Sequence, residues 1–393
     1  RSLLRNERKA HESLLSDMLS HNSNTGKSTP EQTLPVAAAA EVTEAETSRL
    51  LTGWLKTLCM ADGVAGEEDD VSAAAAGLLR EYTEDVTIDR NRNVIAHIRK
   101  ANPGQPQILL DAHLDEIGFI VTGHEDGFLR FSTLGGVDVR MLSGRELTLM
   151  TQPAGFGVVA SKPPHVLSAA EREKAVALEH LRIDVGLTQE EARKRYPIGT
   201  TAVYREGLTR LQGSRVTGKA LDDRSCFCVL LRALELLKDD VLDVDICVLG
   251  SNFEETGGEG ALCAAYDLHP DCAVAVDVTF ATQPDVSKDK GFPLGAGPVI
   301  GVGPNMARWM TQRFQDTAKA EGIAYKLEIM SGDTGTNGWG IQTARDGIAT
   351  QVLSIPLRYM HTPMEVVDLN DIEQTAKLLA AVVRRLGEEV PEC

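Results

Sequence analysis

Two histidines and several carboxylates stand where predicted apolar strands end. His113 follows the strand-like segment QILLDA, and Asp277 follows CAVAV. His361 lies just beyond ATQVLSIP, and Glu254 and Glu255 lie just beyond DICVLGSN. Ligands of open α/β sheets bind beyond the carboxyl ends of the strands, so we expect these side chains to meet. Imidazole and carboxylate groups without a cysteine partner suit zinc, cobalt or manganese in a hydrolytic site.

The number of candidate ligands favours two ions over one. A single catalytic zinc uses three protein ligands and leaves one position open. A carboxylate that bridges two cations ~3.5–4 Å apart, each also bound by a histidine, would use five ligands and activate one water. Five candidates are present, with Glu254 left over: His113, Asp222, Glu255, Asp277 and His361.

Each candidate also has a simpler interpretation. Asp222 and Asp223 precede a predicted helix and would serve there as a cap and a first-turn acid, and only one of them is needed as a bridge. The pair Glu254 and Glu255 is typical of a solvated loop. Asp115, two residues after His113, is placed as a carboxylate that orients a ligand imidazole. Without a metal site, every one of these simpler interpretations would have to be correct at the same time. The set as a whole therefore favours a metal site.

Regular alternation of helices and strands predicts the fold that positions these residues. From Ser48 onward the pattern is that of a layered α/β/α domain. Between about Ile117 and Leu211 it changes to short alternating runs broken by glycine, typical of a small β-rich module. We therefore predict a catalytic domain over residues 46–116 and 212–393, an inserted β-rich domain over 117–211, and a flexible appendage or linker over 1–45.

Composition excludes several classes of partner. The chain has 393 residues, 57 acidic and 40 basic side chains and a net charge of −17, with no basic run. A nucleic-acid ligand is therefore not expected. No stretch approaches the ~18 apolar residues of a membrane span, so no membrane association is expected. The seven cysteines stand mostly in apolar stretches, which favours reduced thiols and a cytoplasmic location.

Five segments together resemble peptidase family 42, the co-catalytic metallo-aminopeptidases that include the glutamyl and deblocking aminopeptidases of the tetrahedral (TET) type. The segments are DAHLDEIGF, GKALDDRSC, FEETGGEGA, AVAVDVT and IPLRYMHTPMEVVD, in that order within residues 48–388. The resemblance implies an aminopeptidase that removes N-terminal residues from short peptides with two divalent ions, zinc or cobalt, with manganese also accepted. It further implies that the inserted domain forms dimers, which assemble into a homododecamer.

The resemblance also implies a role for each candidate residue. Glu254 would be the general base that deprotonates the attacking water and later protonates the leaving amine. Asp115 would orient His113. The implied ligands are His113 and Asp277 for one ion, Glu255 and His361 for the other, and Asp222 as the bridge.

Two departures and several alternatives accompany this interpretation. The resemblance does not cover the appendage before residue 46. Where the family usually has Gly-Thr-Asp, this chain has Gly335-Thr336-Asn337, which predicts a change in substrate preference or rate. The same metal core would also serve a deacylase or carboxypeptidase. A glycoside hydrolase needs carboxylates ~5–9.5 Å apart across a sugar bond, for which the adjacent Glu254 and Glu255 are poorly placed. A catalytically inactive assembly protein with this fold is the third alternative.

Overall fold

The computed structural model describes residues 43–98, 104–284, 287 and 291–386. Of the predicted appendage, residues 1–45, the part from residue 1 to 42 lies outside the described residues. Its last residues begin the first helix, where Thr43 and Glu46 form a capping box: each side chain accepts the backbone N–H of the other residue. This reciprocal pair satisfies two N–H groups that the first turn of a helix leaves without a partner.

The described residues form the following elements. The helices are α1 (Glu44–Cys59), α2 (Asp69–Leu79), α3 (Ala169–Arg172), α4 (Gln189–Arg195), α5 (Leu221–Leu237), α6 (Glu259–Leu268), α7 (Arg308–Ala320), α8 (Gly338–Ile341) and α9 (Leu369–Leu386). The strands are β1 (Val86–Ile88), β2 (Val94–Ile98), β3 (Gln107–His113), β4 (Gly118–Glu125), β5 (Phe128–Leu134), β6 (Glu146–Leu149), β7 (Gly155–Ala160), β8 (Arg182–Asp184), β9 (Thr201–Tyr204), β10 (Thr209–Arg210), β11 (Arg215–Gly218), β12 (Asp245–Ser251), β13 (Cys272–Phe280), β14 (Val299–Val302), β15 (Lys326–Ile329), β16 (Ala349–Leu357) and β17 (Glu365–Asp368). None of these helices combines the length and the apolar character that crossing a bilayer requires.

A mixed sheet forms the middle layer of the larger domain. Among the described residues it has eight strands in the order β1-β2-β12-β3-β13-β16-β14-β15, and β12, β3, β13 and β16 run parallel to one another. These central strands are apolar runs buried on both faces, as parallel strands covered by helices must be. One face packs against α1, α2, α5, α7 and α9, and the other against α6 and α8. The layered α/β/α class is therefore confirmed.

The glycine-interrupted region forms a closed six-stranded barrel in the order β4-β5-β8-β7-β6-β9. It has its own apolar core. In this core the ring of Phe119 packs edge to face against the rings of Phe131 and Tyr204, with ring centroids 5.6 and 5.2 Å apart. The barrel interrupts the α/β domain between β3 and α5, so the expectation of an inserted β-rich module is confirmed. The residue boundaries of the two domains stay a prediction.

A small sheet of β10, β11 and β17 escaped the sequence analysis. Its strands are two to four residues long, too short to show a period in the sequence. Strand β11 pairs antiparallel with β17, which places Gly218 opposite Glu365. The sheet thus brings the chain that enters α5 beside the chain that follows His361.

Candidate metal centre

The predicted site residues meet at the carboxyl edge of the four parallel strands. His113 is the last residue of β3, Asp277 lies within β13, and the loops after β12 and β16 carry Glu254–Glu255 and His361. The fifth predicted ligand, Asp222, comes from the first residues of α5. Its backbone is not yet helical there but extended (φ −79°, ψ 105°), the conformation also typical of a helix cap.

Asp222 lies between the two histidines. Its Oδ1 is 3.1 Å from Nε2 of His113, and its Oδ2 is 3.3 Å from Nε2 of His361. Glu255 adds Oε2 at 3.5 Å from the same nitrogen of His361. One carboxylate therefore presents a different oxygen to each imidazole, the arrangement that a carboxylate bridging two ions requires.

Both imidazoles are fixed through their other ring nitrogen. Nδ1 of His113 lies 3.1 Å from the carbonyl oxygen of Asp115, and Nδ1 of His361 lies 2.9 Å from the carbonyl oxygen of Gly136. A carbonyl oxygen only accepts, so each Nδ1 carries the proton and donates. When an ion is bound, Nε2 of each imidazole would offer its lone pair to it, the usual arrangement for ligand histidines held by an outer hydrogen bond.

Asp277 joins His113 on the other side of the cluster. One ligand atom each from His113, Asp223 and Asp277 lie within 4.8 Å of one another, as do ligand atoms from His113, Asp222 and Glu255. Among the described residues, neither carboxylate oxygen of Asp223 has a hydrogen-bond partner, although both are buried. A buried carboxylate without a hydrogen-bond partner, close to an imidazole and a second carboxylate, fits the binding of a divalent cation well.

The electrostatics of the cluster agree with that fit. Burial raises the pKa of Glu254 to about 7 and raises the pKa of Glu255 and Asp277 well above the ordinary range, with neighbouring carboxylates adding to the shift. Burial also tends to raise the pKa of Asp222, but its hydrogen bonds with His113 and His361 hold it below the ordinary value. A divalent cation would supply the positive charge that these crowded carboxylates need in order to ionise together.

Asp115 holds two parts of the site at once. Its carboxylate lies 3.5 Å from Nδ1 of His113, and it accepts the backbone N–H groups of Glu254 and Glu255 at 3.1 and 3.2 Å. The side chain of Glu254 consequently points toward His113, with Oε2 at 3.9 Å from Nε2, and it stays partly exposed to solvent. The residue predicted to orient an imidazole thus also fixes the backbone of the two glutamates.

Left-handed backbone conformations occur at three loops of the site. Ala220, Phe253 and His361 have φ values of 55°, 66° and 61°. Non-glycine residues seldom adopt this conformation, and it tends to concentrate at functional sites where the surrounding contacts enforce it. The loops that carry Asp222, Glu254 and His361 are therefore held in sharp turns that sequence periodicity does not reveal.

Three contributors to the site were missed by the sequence analysis. Glu365 accepts the backbone N–H groups of Asp222 and His361. Gly135 and Gly136, in the loop after barrel strand β5, lie so close that an added Cβ would come within 3.0 Å of Glu255 and 2.7 Å of His361. The sequence does show the glycine pair and an acid, Glu365, four residues after His361. Neither feature indicates which residues it contacts.

Asn337 hydrogen-bonds to residues other than the ligands just described. It is buried, and its Nδ2 donates to Asp111 at 2.9 Å and to Ser251 at 2.8 Å. These bonds tie the start of α8 to β3 and β12. The effect of Asn337 on substrate preference stays a prediction.

Comparison with known proteins gives a coherent result. The family model described as M42 glutamyl aminopeptidase matches residues 92–378. A lysyl aminopeptidase of Pyrococcus furiosus is 34% identical over 339 residues, covering 84% of this chain and 96% of its own. An aminopeptidase structure from Desulfurococcus kamchatkensis has a TM-score of 0.80 at 34% identity, covering 87% and 96%. A TET1 peptidase of Pyrococcus horikoshii, described as assembling into a tetrahedron or a large octahedral shell, has a TM-score of 0.75 at 29% identity, covering 86% and 100%.

Proposed function

The chain belongs to the M42 glutamyl aminopeptidase family, and from that premise we propose that it removes N-terminal residues from short peptides with two divalent ions and a carboxylate base. That the chain is an aminopeptidase, a peptide-bond hydrolase, follows from family membership. The observation that carries the finer proposal is Asp222, whose two oxygens each face a different imidazole.

The proposed ligand set divides around Asp222. His113 and Asp277 would hold one ion, Glu255 and His361 would hold the other, and Asp222 would supply one oxygen to each. Zinc and cobalt suit this set of nitrogen and oxygen donors best, and manganese is accepted by the same donors. When bound, the ions would polarise the scissile carbonyl and make the attacking water more acidic.

Glu254 is proposed to move the proton. Its carboxylate takes a proton from the attacking water and later delivers it to the leaving amine, which requires a carboxylate within hydrogen-bond reach of both. Support comes from its side chain, which lies beside His113 yet remains partly open to solvent. Asp115 keeps the Glu254 backbone in place during both steps.

The acidity of the site is proposed to select the free amino terminus of a peptide. A substrate with an N-terminal ammonium group is drawn toward a cleft lined by carboxylates. A blocked amino terminus loses that attraction, which is why an aminopeptidase is favoured over a deacylase or carboxypeptidase. Faster turnover of an N-acetylated substrate than of its free-amine counterpart would support a deacylase instead.

Assembly and location complete the proposal. The TET neighbours form closed particles, which supports self-association; we propose that the barrel domain, residues 117–211, forms dimers that build a homododecamer. A cytoplasmic location fits the described cysteines, which are free thiols and mostly buried.

The general base is tested by replacing Glu254 with Gln. The substitution keeps the shape of the side chain but removes its ability to accept the proton, so kcat for aminoacyl p-nitroanilides should fall ~10²–10⁴-fold with zinc or cobalt bound. Glu259→Gln, five residues onward at the start of α6, is the matched control and should keep wild-type activity. If Glu254→Gln keeps wild-type activity, Glu254 is not the general base.

Two outcomes would favour the remaining alternatives. Cleavage of a glucan that persists in the presence of a chelator would support a glycoside hydrolase. A metal analysis that finds no bound ion under metal-replete conditions would support an inactive assembly protein.

A further inference from the structure

Glu365, the first residue of β17, has a buried carboxylate that no predicted role uses. Its Oε1 accepts the backbone N–H of His361 at 2.9 Å, and its Oε2 accepts the backbone N–H of Asp222 at 3.1 Å. The two residues it joins come from different parts of the chain, and the pairing of β11 with β17 holds their segments side by side. One side chain therefore connects the main chains of the bridging carboxylate and of one imidazole.

We propose that Glu365 is a positioning residue that sets the distance between Asp222 and His361 and thereby the affinity of the ion held by Glu255 and His361. This inference rests on the proposed function, because it assumes that these residues bind an ion. It concerns binding of the ion and assigns Glu365 no contact with substrate.

The backbone at both ends explains why such a residue is needed. His361 has a left-handed conformation and Asp222 a non-helical one at the start of α5. Neither N–H is satisfied by a regular helix or strand, and a buried N–H without a partner is costly. The carboxylate of Glu365 accepts both N–H groups. A shift of the segment that carries Asp222 or of the loop that carries His361 therefore breaks a hydrogen bond.

The carboxylate of Glu365 is used by backbone groups of these two loops. Among the described residues Glu365 forms no ion pair with a lysine or arginine, and its hydrogen bonds come from backbone groups. Outer carboxylates that hold metal ligands typically change metal affinity 10–100-fold when they are removed.

Glu365→Gln separates this role from simple packing. Glutamine keeps the length of the side chain but has a single acceptor oxygen, and its NH2 group faces one of the two N–H donors. Asp371→Asn is a matched control: Asp371 is also buried and its carboxylate also accepts two backbone N–H groups, from Gly295 and Gly297, each at 2.8 Å.

The experiment measures zinc bound per full-length chain in buffers of graded free zinc, together with the visible absorption of the cobalt-loaded protein. The wild type should bind two ions. Glu365→Gln should bind the first ion within a few-fold of the wild type and the second 10–100-fold more weakly, with an altered cobalt spectrum. Asp371→Asn should bind both ions with wild-type affinity.

The outcomes distinguish this inference from the proposed function. A wild-type chain that takes up no ion overturns both. A folded Glu365→Gln variant that binds both ions as tightly as the wild type overturns the role of Glu365 alone. If circular dichroism shows that Glu365→Gln does not fold, Glu365→Asp replaces it: it keeps the charge but is too short to reach both N–H groups, and wild-type affinity for the second ion in that variant overturns the inference equally.

Discussion

At the scale of single residues, the candidate site depends on side chains that each satisfy two demands. Asp222 faces two imidazoles, Asp115 serves an imidazole and two backbone N–H groups, and Glu365 joins two loops. Dual use of this kind makes the geometry stiff, because a movement of any of these three side chains disturbs more than one contact. Rigid placement of ligands is what a metal site needs to hold its ions at a fixed separation.

A buried ion cluster beneath the ligands adds to this stiffness. The Nζ of Lys219 donates to both oxygens of Glu116 at 2.7 and 2.9 Å and to Asp62 at 3.0 Å. Arg224, fully buried, donates to Glu116 and to the carbonyl oxygen of Leu114, between His113 and Asp115. The cluster therefore ties the loop that follows His113 to the start of α5, which carries Asp222.

Removing Lys219 should lower the stability of the protein. Lys219→Met leaves Glu116 buried with only part of its compensation, so the free energy of unfolding of the metal-free protein should fall by about 3 kcal/mol. A urea titration measures the change. Lys238→Met is the control, since it breaks a 2.6 Å pair with Glu235 at the surface, and it should cost less than about 1 kcal/mol. Equal losses in the two variants would contradict the structural role of the cluster.

At the scale of elements, the site is assembled by strand ends and loops rather than by any one motif. The parallel register of β12, β3, β13 and β16 brings their carboxyl ends to one edge. The loop after β5, within the barrel domain, then closes against Glu255 and His361 through Gly135 and Gly136. The inserted domain thus contributes to the site itself.

Gly136 gives a direct test of that contribution. A Cβ at this position would meet Nδ1 of His361 at 2.7 Å, so Gly136→Ala should displace the imidazole and weaken binding of the second ion, with kcat/KM falling on the order of 10²-fold. Isothermal titration with zinc and a peptide assay measure both effects. Gly123→Ala, on barrel strand β4, where an added Cβ would make only ordinary contacts at 3.7 Å or more, should behave as the wild type. Full metal binding by Gly136→Ala would refute the role of the loop.

Sequence alone could predict the elements with strong local patterns and the residues at their ends. Strand β3, an apolar run, indicated where His113 stands, and the same held for Asp277. Glu365 could not be predicted in this way, because its hydrogen bond to Asp222 spans 143 residues of chain. The contacts of Asp222 could not be predicted either: its side chain meets two histidines from distant parts of the chain, whereas the local sequence indicates only a helix start.

At the scale of the whole molecule, the net charge of −17 has in part a local origin. Several of the carboxylates that produce it meet in one buried cluster, where bound cations would offset them. The proposed closed assembly would enclose this acidic site, so that short peptides reach it and folded proteins do not.

The assembly state is measurable directly. From the proposed assembly we expect native mass spectrometry of the full chain to give twelve copies, with dimers at low concentration; one TET1 neighbour is described as a dodecamer. Metal-free and zinc-loaded samples should be compared. A stable monomer at micromolar concentration under both conditions would contradict the proposed dodecamer and would leave the aminopeptidase assignment untouched.

The central claim is that Asp222 bridges two ions, and anomalous diffraction from zinc-loaded crystals tests it most directly. Data collected at the zinc absorption edge should give two peaks per chain ~3.5–4 Å apart, on either side of Asp222. One peak should lie beside His113 and Asp277, the other beside Glu255 and His361. A single peak under saturating zinc, or peaks that do not contact Asp222, would contradict the account.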